Sequence, residues 1–108
     1  MQDKIIEALR RNATDEAVTL AQAWVGAEPQ HAAAHRWLAL ALQQQGQLEH
    51  AQRSLETALG LAPDDAALHL QHAGLLLAQR QIDAAGQALD RSTSLNPNEF
   101  SAYLMQAH

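Results

Sequence analysis

Cysteine is missing from this chain, and with it go a disulfide framework, a thiolate zinc site and a cysteine nucleophile. That absence is neutral on compartment. Aromatic residues are only 4% of the chain while hydrophobic residues are 47%, so the apolar mass is alanine and leucine. Such a composition suits closely packed helices rather than sheets. Positive charge is scarce as well: 7 Lys and Arg stand against 12 Asp and Glu, a net charge of −5. A chain of that sign lacks the basic footprint of a nucleic-acid or anionic-membrane binder. Its cations are scattered, apart from Lys4, Arg10 and Arg11 near the start. No apolar run approaches the ~20 residues of a transmembrane helix. The opening residues MQDKIIEALRR form no signal-peptide core, so any targeting signal is expected outside this chain. A soluble chain is the expectation, its compartment unassigned with the cytoplasm favoured. With 108 residues there is one domain's worth of sequence, able to bury somewhat under about 70% of its unfolded surface.

Proline is rare too, and its placement is informative. The chain has 3 prolines, Pro29, Pro63 and Pro97, spaced by 34 residues, and Ala17, Ala51 and Ala85 keep the same interval. The stretch from Ala32 to Pro63 is the most regular copy: two amphipathic helices, Gly46 between them and a proline after the second. Residues 2–11 place Ile5, Ile6, Ala8 and Leu9 among early acidic and late basic residues, an order that suits the helix dipole. Asn12 is a plausible left-handed stop. Thr14 or Asp15 is expected to cap a second helix through EAVTLAQAWVGA, ended by Gly26 and Pro29. A third helix is predicted from near Gln30 to Gln45, apolar over more than half its circumference as a helix between neighbours would be. The fourth runs from about Leu48 to Leu59, with Leu48, Ala51, Leu55, Ala58 and Leu59 on one stripe. Asp64 or Asp65 can cap the fifth, AALHLQHAGLLLAQ, and the sixth is predicted over Asp83 to Ser92. Arg80 stands where Gly46 stood, so a left-handed arginine costing on the order of 1 kcal/mol is expected there. After Pro97, Asn98 would cap a last helix striped by Phe100, Tyr103, Leu104 and Ala107.

Two helices per 34 residues, small residues at the helix crossings and a terminal proline resemble the tetratricopeptide repeat. The likeness covers essentially the whole chain. Within Ala32–Asp65, Leu38 and Ala39 match the family's Leu-Gly pair and Leu42 its usual tyrosine. Gly46 matches the inter-helix glycine, Ala51 the small crossing residue, and Leu55, Ala58 and Pro63 the later hallmarks. The next copy keeps Ala73, Leu76, Ala85, Leu89 and Pro97 but departs at His72, Arg80 and Ser92; the first departs at Ile5 and Trp24. Independently of any family, Ala39 against Ala51, and Ala73 against Ala85, would let antiparallel helices approach near the close end of about 8–10 Å. The resemblance implies an all-α, right-handed superhelical solenoid of antiparallel helix pairs: three hairpins plus a C-terminal single helix. One domain, 1–108, would comprise a degenerate first repeat (1–31), the most complete repeat (32–65), a third (66–99) and the first helix of a further repeat or a cap (100–108). An apolar Phe100/Tyr103/Leu104 stripe favours a longer array cut at that point, since a cap normally carries a polar outer face.

By the same resemblance the first helix of each hairpin lines a concave, partner-binding groove. The residues mapped to it are Ile6, Leu9, Arg36, Leu40, Gln43, Gln44, Leu70, Gly74, Leu77 and Leu104. A peptide or helix with leucine-like anchors and an acidic or amide-bearing group would suit such a face; equally, such leucines can be core that touches the next repeat. Some family members grip a chaperone's C-terminal carboxylate with a clamp of lysine, asparagine and arginine. The matching positions here are Gln2, Ile6, Trp37, Ala67 and Gln71, and none supplies the charge. His35 and His69 hold equivalent places, with His31 and His72 one turn away, and stacked repeats could gather two or three imidazoles around a metal. No carboxylate lies at ligand spacing, so packing is the favoured account. His72 in particular is expected to be buried and neutral with one nitrogen hydrogen-bonded. Burial of that kind lowers the folded pKa, and its stability contribution is lost as acid protonates the unfolded chain. No nucleophile triad, phosphate-cradling glycine loop or carboxylate pair in an apolar setting is present. The expected function is therefore a protein-protein interaction scaffold for a protein or peptide partner, not an enzyme, with no cofactor, no metal, no nucleic acid and no membrane. The alternative is a self-association segment forming a homodimer through the C-terminal helix.

Overall fold

The structure, a computed structural model, describes residues 2–95. The chain divides into two compact units, one from Met1 to Ala62 and the other beginning at Pro63. The first holds α1 (Gln2–Arg10), α2 (Thr14–Ala27), α3 (Ala32–Gln44) and α4 (Leu48–Leu61); the second holds α5 (Ala66–Ala78) and α6 (Ile82–Leu95). Every described element is a helix, and none of these helices is long and apolar enough to cross a membrane. The six helices are those that the apolar spacing predicts. The helix expected after Pro97, including Leu104, lies outside the described residues.

The turns inside the hairpins repeat as strictly as the helices. Asn12, Gly46 and Arg80, 34 residues apart, have φ of 60°, 88° and 63°. Each is followed by a residue whose N–H reaches five residues back: Ala13 to the Ala8 carbonyl at 2.8 Å, Gln47 to Leu42 at 2.9 Å and Gln81 to Leu76 at 2.8 Å. This is the left-handed C-terminal stop that satisfies a helix's last carbonyls. The left-handed Arg80 is thus present as expected.

In the first unit α3 packs between α2 and α4, and α1 packs on α2 and α3. That arrangement accounts for the wide apolar girth of α3. Ala39 on α3 and Ala51 on α4 are buried, and Leu55 is fully enclosed; burying such a leucine contributes on the order of 2 kcal/mol. The first hairpin solves the same packing with the sizes exchanged. Ile5 and Ala8 are both at 0% exposure where the second hairpin has Ala39 and Leu42. A large residue followed by a small one replaces small followed by large, so the side-chain volume is kept. In the second unit Ala73, Leu76, Ala85 and Ala88 form the core between α5 and α6, with Ala84 and Leu89 against it.

Two expectations need correction. Neither Thr14 nor Asp15 caps α2: Thr14 is its first helical residue, Ala13 precedes it, and no side chain makes the cap bond. Asp15 instead accepts a hydrogen bond from the Gln45 amide, which ties the start of α2 to the end of α3. At α5 the choice between aspartates resolves to Asp65, whose Oδ1 accepts from the Ala67 N–H at 3.0 Å. His72 is also only partly buried; the enclosed imidazoles are those of His35 and His69, each 9% exposed.

Candidate functional site

The residues mapped to a binding face fall on the first helix of each hairpin. On α1, Ile6 and Leu9 are half-buried. Beside them is an open depression of about 430 Å³ lined by Asp3, Ile6, Glu7 and Arg10. On α3, Arg36, Leu40 and Gln43 are half-buried and Gln44 is exposed. The Arg36 guanidinium carbon lies 5.9 Å from the centre of the Trp37 ring, within cation–π range, which steadies the side chain. Because α1 packs on α3, these two sets sit on neighbouring helices of one unit. On α5 of the second unit, Leu70 and Gly74 are half-buried and Leu77 is 42% exposed. A Cβ built on Gly74 would meet nothing within 4 Å, so this part of α5 is open. Leu104 lies outside the described residues.

The histidines form contacts that the sequence reading did not anticipate. His35 and His69 each place Nε2 against the carbonyl of the proline six residues earlier, Pro29 at 2.8 Å and Pro63 at 2.7 Å. A carbonyl only accepts, so in both cases the ring carries its proton on Nε2 and donates. The bond pins the approach to α3 and to α5 onto the helix itself. Its signal was available in the sequence: both pairs, Pro29 with His35 and Pro63 with His69, repeat at the 34-residue interval. Trp24, in the place of a small residue, is also accounted for. It is 8% exposed, donates from Nε1 to Glu28 Oε2 at 2.6 Å and meets the His31 ring at 5.5 Å. With Nε2 engaged, His35 and His69 keep one ring nitrogen each, and among the described residues no three His, Asp or Glu groups are arranged to hold a metal ion.

Ser92, a departure from the alanine of the second hairpin, is fully buried and donates to the Ala66 carbonyl at 3.0 Å, bridging α6 to the start of α5. A second depression, of about 480 Å³, has Asp64, Gln87, Asp90, Arg91 and Leu95 in its lining; none of these was among the mapped residues.

The helices and their turns now carry a comparison with known proteins. A family profile described as Tetratricopeptide repeat matches residues 43–107. No curated protein matches the chain. Among solved structures, MamA 41-end from Desulfovibrio magneticus RS-1 is similar at 22% identity and a TM-score of 0.83, covering 90% of this chain and 55% of that one. The chain thus spans about half the length of the MamA structures it matches. The Yersinia enterocolitica type III secretion chaperone SycD, solved with a peptide of the translocator YopD, has 17% identity and a TM-score of 0.85, covering 96% of this chain and 81% of SycD. The first TPR of Spaghetti (RPAP3), bound to the HSP90 peptide SRMEEVD, has 18% identity and a TM-score of 0.85, covering 96% and 84% respectively. At these identities the structures establish the fold alone. Together with the family match, the 34-residue spacing and the threefold left-handed turn, they lead to one conclusion: the chain belongs to the tetratricopeptide repeat family.

Proposed function

We propose that the chain is a protein-interaction module that docks a peptide or a helix on the first-helix faces of its hairpins. The residues we assign to these faces are Ile6, Leu9, Arg36, Leu40, Gln43 and Gln44 in the first unit and Leu70, Gly74 and Leu77 in the second, with Leu104 outside the described residues. The observation that carries this reading is the apolar surface left open on those helices. Leu77 is 42% exposed and Leu40 and Leu70 are only half-buried, although the opposite sides of α3 and α5 are closed into cores. Residues that packing would have enclosed remain accessible, as a docking face requires. The peptides held by the SycD and RPAP3 structures support the same use of this fold. A random peptide library displayed on phage tests it. The intact chain should enrich sequences with leucine-like anchors, and Leu40→Glu combined with Leu70→Glu should abolish enrichment while leaving the helical circular dichroism intact. Equal enrichment by the double variant would exclude this face.

A self-association role is the second reading, favoured by a SycD structure of this fold described as an alternative dimer. It would use the Phe100, Tyr103 and Leu104 stripe. Mass measured across concentrations, with and without Tyr103→Asp and Leu104→Asp, separates the two.

A further inference from the structure

We draw no further inference here: the strongest candidate, the surface patch at the α5–α6 turn where exposed Leu77 and Ile82 flank the left-handed Arg80, carries nothing because no feature of the structure shows what covers it.

Discussion

Arg80 holds a backbone angle of φ 63° that L-residues avoid, at the place where the preceding hairpin uses Gly46. The left-handed conformation costs about 1–2 kcal/mol for a residue with a Cβ, partly offset because glycine leaves a freer unfolded chain. Arg80→Gly should accordingly stabilise the protein by roughly 1 kcal/mol, seen as a higher urea midpoint with an unchanged slope; an unchanged or lower midpoint would contradict the strain argument. Ser92 gives the opposite case. Replacing it with the alanine of the neighbouring hairpin looks conservative, but it removes the buried bond to the Ala66 carbonyl. Ser92→Ala should cost about 1 kcal/mol. The His35 proton provides a direct observable: nitrogen NMR should find it on Nε2, and a proton on Nδ1 alone would rule out the bond to Pro29.

At the scale of the element, equivalent helices differ in how they begin. Asp65 and His31 occupy the same repeat position and hold similar extended backbones, φ −87° and −96°, yet Asp65 caps α5 with its carboxylate while His31 makes no cap bond. Its ring lies against Trp24 instead. Asp65→Ala should therefore destabilise the chain by about 1 kcal/mol, measurable as a lower unfolding midpoint. The helix starts and stops were readable from the sequence to within a few residues, because apolar spacing and left-handed turn residues are local signals. The cap at α2 was misread because Thr14 and Asp15 both look like caps, while tertiary contact draws the Asp15 carboxylate to Gln45.

At the scale of the whole molecule, the proposed binding face and the partner chemistry it would accept are linked through charge. The clamp positions Gln2, Ile6, Trp37, Ala67 and Gln71 carry no cation, so the peptide SRMEEVD held by the RPAP3 structure should not compete for the Leu40 and Leu70 faces. Fluorescence anisotropy with the labelled peptide checks this, and micromolar binding would contradict it. The mapped residues were found by register alone: the 34-residue shift carries Ile6 to Leu40 and Leu9 to Gln43 and Leu77.

The sequence by itself determined the helices, their turns and the family, because period, proline placement and left-handed residues act over a few residues and recur. What only the tertiary structure decided is where volume and hydrogen bonds went once helices met. It enclosed Ile5 and Ala8 together, gave Trp24 a partner in Glu28, and turned His35 and His69 inward to proline carbonyls. These outcomes depend on which buried polar group finds which acceptor across a contact. Linear spacing carries that information only after the contact is known.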